Sequence, residues 1–245
     1  MIHLTFDQDW APEWATMDIV AALSRAQRRG TFFVTQPCPS LARLRAVGAE
    51  LAWHPNFLPG SSHGNGIDAV LDTLKGWVPD AVGARAHCLV RGTPYLTAYR
   101  SRGLIYDAAD LHDGVADLAP FLSWTGVVRI PIFFEDDVHL ARGRACELTS
   151  LGLDRSGLKV FSFHPVLLAL NACDLTAYQS LKSSLSQRDI ALPDATRDDF
   201  STFVNQDKPG AADLFRALLS YLEDHPDVAG GTLAQVAERV QADAD

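Results

Sequence analysis

Strand-like apolar runs in this sequence end, one after another, in acids and imidazoles. Ile2, Leu4 and Phe6 alternate with His3, Thr5 and Asp7 and lead into Asp9; Glu50–Trp53 leads into His54; Leu104–Tyr106 leads into Asp107. Gly126–Phe134 leads into Glu135, Asp136 and Asp137, and Leu158–Phe163 into His164. In a parallel α/β barrel the carboxyl ends of all strands share one face, and that face carries the chemistry. A protein with a purely structural task has no reason to collect acids and imidazoles there.

The intervening segments supply helices. Ile19, Ala22, Leu23 and Ala26 repeat at helical spacing and stop at Gly30, and Ile67, Val70, Leu71 and Leu74 do the same. Thr31–Thr35 reads as a second strand, a short helix from Ser40 stops at Gly48, and Ala84–Val90 reads as a fourth strand. Residues 174–209 are polar and poorly periodic and read as an excursion over the surface. Leu214, Phe215, Leu218, Leu219 and Leu222 mark a penultimate helix; the last, through Leu233, Val236 and Val240, opens on a Thr232-x-x-Gln235 capping box. Strands alternating with helices predict an α/β fold, with parallel βα units forming one domain over residues 1–245.

The chain carries a formal charge of −9 without a basic cluster beyond Arg25–Arg29, which excludes nucleic acid as the expected partner. Asp7 and Asp9 interrupt any leader-like apolar core, and no run approaches the ~18 apolar residues of a membrane span. Cys38, Cys88, Cys146 and Cys173 form no C-x-x-C pair and read as reduced core or near-core thiols. Together these features predict a cytoplasmic protein.

Two carboxylates as close as Asp7 and Asp9 repel unless a cation or a shared proton lies between them; the alternative is a solvated Asx turn. One carboxylate and two imidazoles make an open site for zinc or another divalent metal. Asp9, His54 and His63 supply that set, with the histidines nine apart on a turn-rich loop, His54-Pro-Asn-Phe-Leu-Pro-Gly-Ser-Ser-His63-Gly. The other reading of His63 is a loop histidine beside a glycine turn. His139 is the runner-up ligand, and His3, His112 and His225 read as surface residues.

Thr5-Phe6-Asp7-x-Asp9, Gly30-Thr-Phe-Phe-Val34, Glu50-Leu-x-x-His54 with His63, Arg85, and Phe161-Ser-Phe-His164-Pro165 follow one another in that order, with Gly231-Thr-Leu233 before the last helix. This series resembles the polysaccharide deacetylases of the NodB-homology type, carbohydrate esterase family four. The His54–His63 loop resembles most the WbmS-type branch found in bacterial O-antigen clusters.

The resemblance implies a distorted, incomplete (β/α) barrel with seven parallel strands. It also implies removal of an N-acetyl group from an amino sugar in cell-surface polysaccharide biosynthesis. It assigns one divalent metal, expected to be zinc, to Asp9, His54 and His63, and the role of general base to Asp7. Arg85 would brace Asp7, Asp136 or Asp137 would orient Arg85, and His164 would protonate the departing amine. Trp10, Trp53, Asn56 and Phe57 are expected against the sugar. His87, which points the same way as Arg85 on a strand, reads as a further substrate group or as a core histidine bonded to a backbone carbonyl.

The sequence departs from the family pattern in three places. Gln8 separates the two aspartates, Leu58 stands where the second metal histidine is usual, and Ala86-His87 replaces a proline–aromatic pair. Two rival readings keep the fold: hydrolysis of a formyl or cyclic-amide C–N bond, and a catalytically silent sugar-binding protein. Oligomeric state is not legible.

Overall fold

The computed structural model describes residues 1–244. It opens with β1 (Ile2–Asp7), α1 (Glu13–Arg25), β2 (Thr31–Val34), α2 (Ser40–Ala46), β3 (Glu50–Trp53), α3 (Gly66–Trp77), β4 (Gly83–Ala84) and α4 (Thr93–Ser101). It continues through β5 (Tyr106–Leu111), β6 (Phe121–Leu122), β7 (Val128–Ile132), β8 (Phe134–Glu135), α5 (Asp136–Ala141) and β9 (Lys159–Phe163). It closes with α6 (Pro165–Ala169), α7 (Thr176–Gln187), α8 (Arg197–Ser201), α9 (Ala211–Asp224) and α10 (Leu233–Ala242).

The strands form one sheet in the order β6-β7-β5-β4-β3-β2-β1-β9-β8, and every pairing is parallel except β6 with β7. Only Phe133 separates β7 from β8, and its N–H donates to the Val160 carbonyl of β9 at 2.9 Å, which bends the far edge back toward β1. Taking β7 and β8 as one strand and setting β6 aside, the described residues form the seven parallel strands of a strongly curled, incomplete barrel. Among the described residues, no helix is long and apolar enough to cross a membrane.

Both faces of this sheet are buried, so the strands lack the half-polar alternation of a surface sheet. Outward residues Leu4, Phe6, Phe32, Phe161 and Phe163 pack under α1, α6 and α9. Phe6 stacks on Phe32 at 4.7 Å and meets the edge of Phe215 at 5.7 Å. Inward residues Phe33, Ala52, Tyr106, Ile130 and Val160 pack on Leu233, Val236 and Ala237 of α10, which plugs the amino-terminal end of the barrel.

The plug is tied down by Glu50. Its carboxylate accepts from the Ala234 N–H (2.9 Å), the Thr31 hydroxyl (2.8 Å) and the Tyr106 hydroxyl (2.7 Å), and so places negative charge at the start of α10. Gly83 is required opposite, because a Cβ there would lie 2.0 Å from the Tyr106 ring.

Five sequence expectations change. The fourth strand is only β4, although its pairing continues through Arg85 N–H to the Trp53 carbonyl and His87 N–H to the Pro55 carbonyl before Cys88 and Leu89 turn at φ 53° and 52°. Asp107 lies inside β5 rather than at its end; it is buried and ion-paired with Arg129 at 3.1 Å, and burial pushes its carboxyl up to about 6. The polar segment 174–209 contains α7 and α8; the buried pair Leu181 and Leu185 gives α7 its inner face, and polar residues around them mask that spacing. His3 is not a surface residue but is buried with Nδ1 2.9 Å from the Gly231 carbonyl, whereas Cys88, expected near the core, is exposed.

Candidate active site

The open, carboxyl-terminal end of the barrel is built around the turn after β1. Gln8 is buried there, and its side-chain carbonyl accepts from the Thr35 and Gln36 N–H groups at 2.9 and 3.2 Å. The Trp10 N–H donates to the Thr35 hydroxyl at 2.9 Å. This clamp holds Asp9 and Trp10 in left-handed backbone conformations, at φ 44° and 55°. Such positions are uncommon for residues other than glycine and cost on the order of 1–3 kcal/mol each. Asp7 stays inside the barrel while Asp9 turns toward its mouth. The residue that separates the aspartates is therefore what gives them different surroundings.

Two imidazoles converge on one oxygen of Asp9. His54 Nε2 and His87 Nδ1 each lie 3.0 Å from Asp9 Oδ1, and Asp9, His54 and His87 present ligand atoms within 4.8 Å of one another. Zinc binds nitrogen and oxygen at ~2.0–2.2 Å, so its ligand atoms sit roughly 3.3 Å apart. The donor set and its spacing fit such an ion. Burial alone would push the Asp9 carboxyl up, but hydrogen bonds from His54 and His87 outweigh it and hold that carboxyl well below the usual range. For His87, burial works downward, and the hydrogen bond to Asp9 overrides it and raises the imidazole.

Below this cluster Asp7 pairs with Arg85, Nη1 to Oδ1 at 2.7 Å, with both side chains buried. The same Nη1 lies 2.9 Å from the Thr5 hydroxyl and 2.8 Å from that of Ser162, Nε donates to the Ala108 carbonyl at 3.0 Å, and the guanidinium rests 4.2 Å over the Phe33 ring. These contacts fix the arginine, and the arginine aims the carboxylate. Beside them stands His164, Nε2 3.6 Å from Asp9 Oδ2 and Nδ1 2.6 Å from Asp136 Oδ1. Burial would lower His164; the Asp136 carboxylate more than compensates, and the imidazole stays protonated well above its ordinary range.

The structure distributes the expected residues differently from the sequence reading. His63 is apart from the cluster: Nε2 lies 2.8 Å from the Thr35 carbonyl, and Nδ1 accepts from the Asn56 N–H at 3.1 Å. With both nitrogens engaged by backbone, it braces the loop, while His87 stands beside Asp9 and His54. Asp136 does not touch Arg85; it accepts from the His164 ring and N–H, the latter at 2.9 Å. Asp137 accepts from the Val138 N–H at 2.6 Å and borders the cavity.

The aromatic and amide groups also find other partners. Trp10 meets the His87 ring at 5.2 Å. Asn56 accepts from the Leu58 N–H, Phe57 packs on Tyr95 at 4.6 Å, and Trp53 is buried with its indole N–H on the Val78 carbonyl. His139 bonds to the Ala145 carbonyl through Nε2 at 2.9 Å.

Glu135 is the group the sequence reading passed over. It is buried, within 4.8 Å of Asp7 and His164, and burial with the neighbouring Asp137 pushes its carboxyl up to about 8. The available signal was strand parity: Phe134 packs outward on Phe161 and Phe163, so its neighbour faces in.

Two cavities meet at this end. One, of about 230 Å³, is bordered by Asp7, His54, His87 and Glu135; the other, of about 140 Å³, by Val166, Leu167, Leu175 and Tyr178. Asp9, Asp137 and His164 border both.

Comparison with known proteins gives a consistent picture. The profile of the family described as WbmS-like polysaccharide deacetylase matches residues 4–182. A crystal structure from Bordetella bronchiseptica, described as a candidate polysaccharide deacetylase involved in O-antigen biosynthesis, is 28% identical. That match covers 90% of each chain, with a TM-score of 0.77. A candidate polysaccharide deacetylase from Mycobacterium smegmatis shares the fold at 18% identity and TM-score 0.62, over 99% of this chain and 90% of its own. No curated protein sequence matches.

Proposed function

Because the chain belongs to the WbmS-like polysaccharide deacetylase family, we propose that it hydrolyses the N-acetyl group of an amino sugar used in cell-surface polysaccharide biosynthesis. The observation that carries this reading is the convergence of His54 and His87 on Asp9 Oδ1, directly above the Asp7–Arg85 pair and beside His164. Asp9, His54 and His87 would hold one divalent ion, zinc by the character of the donors. When bound, such an ion acidifies water and polarises a carbonyl.

The remaining chemistry belongs to the chain. An isolated aspartate titrates near ~4 and is a weak base at neutral pH, so its value lies in being aimed. Asp7, held by Arg85, takes a proton from the water that attacks the amide carbon. His164, kept protonated by Asp136, gives its proton to the nitrogen as the C–N bond breaks. The products are acetate and a free amino sugar. The family membership and the likeness to the Bordetella protein support the polysaccharide as the substrate's destination.

The test is a panel of N-acetylated and N-formylated amino sugars given to zinc-loaded protein, with acetate and formate measured separately. Acetate release that disappears in His164→Ala while zinc content is kept is the expected result. A fully metallated protein that binds the sugars and releases neither acid would favour the silent reading instead.

A further inference from the structure

Five carboxylates gather at the open end, and four of them have donors. Asp7 pairs with Arg85, Asp9 with His54 and His87, Asp136 with the His164 ring and N–H, and Asp137 with the Val138 N–H. Glu135 is the exception. It is buried and borders the cavity of about 230 Å³, and no described residue donates a hydrogen bond to its carboxyl. A buried carboxyl without a donor costs stability that an apolar side chain would not, and it calls for a partner from outside the chain. Nor is the group loosely held. Glu135 ends β8 in register with Ser162 of β9, whose hydroxyl is 2.8 Å from Arg85 Nη1. A carboxyl on a paired strand stands where the sheet puts it.

Position narrows the partner. The Glu135 carboxyl lies within 4.8 Å of both Asp7 and His164, apart from the Asp9, His54 and His87 cluster. It flanks the space between the group that would take a proton from water and the group that would give one to nitrogen. The donor that any N-acetylated sugar brings there is its amide N–H. Resting on the N-deacetylase reading above, we propose that Glu135 accepts the substrate's amide N–H and thereby sets a preference for N-acetyl over O-acetyl groups. Ionised or protonated, a carboxyl keeps an acceptor oxygen, so the contact holds in either state.

Orientation is the consequence. As water adds to the carbonyl carbon, the nitrogen becomes tetrahedral, and its one lone pair must meet the His164 proton. That proton is on Nε2, since Nδ1 faces Asp136. An N–H fixed on Glu135 fixes the direction of the lone pair before the C–N bond breaks. An ester oxygen has two lone pairs and no hydrogen, so it does not depend on this contact. The bonds made and broken are those already given.

The test compares amides with matched esters. Acetate release is measured from methyl glycosides of N-acetylglucosamine, N-acetylgalactosamine and N-acetylmannosamine, and from the glucose, galactose and mannose counterparts O-acetylated at the equivalent hydroxyl. Zinc-loaded unaltered protein, Glu135→Leu and Glu135→Gln are run side by side, and bound zinc is measured in each. Glu135→Leu is expected to lower kcat/KM for the amides about 10- to 100-fold. The same variant keeps its zinc and hydrolyses the esters within about threefold of the unaltered protein. Glu135→Gln, which retains a carbonyl oxygen at the same place, stays within about threefold on the amides. Equal loss on amides and esters, no loss on either, loss of zinc, or a Gln variant as impaired as the Leu variant overturns the role given to Glu135 and leaves the N-deacetylase reading standing. Unaltered zinc-loaded protein that releases no acetate from any of the amides overturns that reading and this role together.

Discussion

The two ends of the barrel are made from the same strands and solve opposite problems. At the plugged end Glu50 satisfies donors from Thr31, Tyr106 and Ala234, His3 is bonded to Gly231, and the Gln235 side-chain carbonyl accepts from the Thr232 N–H at 3.1 Å. At the open end Asp9, Trp10, Cys88 and Leu89 sit in left-handed conformations. His54 Nδ1 and Arg85 Nη2 are buried there without a hydrogen-bond partner among the described residues. The open end thus holds strain and uncompensated polarity at the proposed site itself, which is characteristic of a site awaiting a ligand.

Breaking the open end should therefore change chemistry before stability. Asp9→Ala or His54→Ala is expected to abolish stoichiometric zinc binding, a loss beyond the ~10–100-fold that removing an outer partner costs, read by elemental analysis after dialysis. His164→Ala should keep the metal and lose turnover by ~10²–10⁴-fold, read as acid release from the substrate panel. Equal metal loss in both sets would erase the proposed division of labour.

Breaking the plugged end should do the reverse. Glu50→Ala strands buried donors at the start of α10 and is expected to cost about 3 kcal/mol in chemical denaturation while zinc binding persists. A Glu50→Ala protein of unchanged stability would remove the plug from the account.

His3 at the plugged end and Glu135 at the open end shift stability with pH in opposite directions. His3, lowered by burial to about 4, starts from ~6.5 when unfolded. Its contribution is thus complete above ~6.5 and is lost as pH falls toward 4, on the order of 3 kcal/mol in all. Glu135, raised by burial to about 8 from an ordinary value near 4.5, binds a proton in the folded state that the unfolded chain releases. It therefore lowers the stability of metal-free protein as pH rises from about 4.5 to about 8. In denaturation series across pH, His3→Gln should flatten the acid limb, and Glu135→Gln should flatten the decline toward alkaline pH. A single variant that flattened both would show that the two ends are not independent.

Much of the fold was legible because strand and helix periods are local. The ionisable strand ends pointed to one chemical face, and Asp7, Asp9, His54 and His164 do meet there. What was not legible depended on chain path rather than residue type. His63 has the spacing of a loop ligand, but the loop folds it against Thr35. His87, two residues beyond Arg85, reaches Asp9 because the β3 pairing continues past β4 and holds its backbone on Pro55. Asp136 and Asp137 looked interchangeable and Glu135 carried no expected role; the change from β8 to α5 after Glu135 leaves that residue near Asp7 and turns Asp136 onto the His164 ring. The buried face of α7 was hidden by the polar residues around Leu181 and Leu185.

The choice between the two loop histidines is the most direct test of the open end. Equilibrium dialysis of zinc against His87→Ala and His63→Ala, side by side with the unaltered protein, should find about one zinc per chain in the unaltered protein and in His63→Ala, and none in His87→Ala. Zinc retained by His87→Ala and lost from His63→Ala would contradict the assignment of the metal to Asp9, His54 and His87.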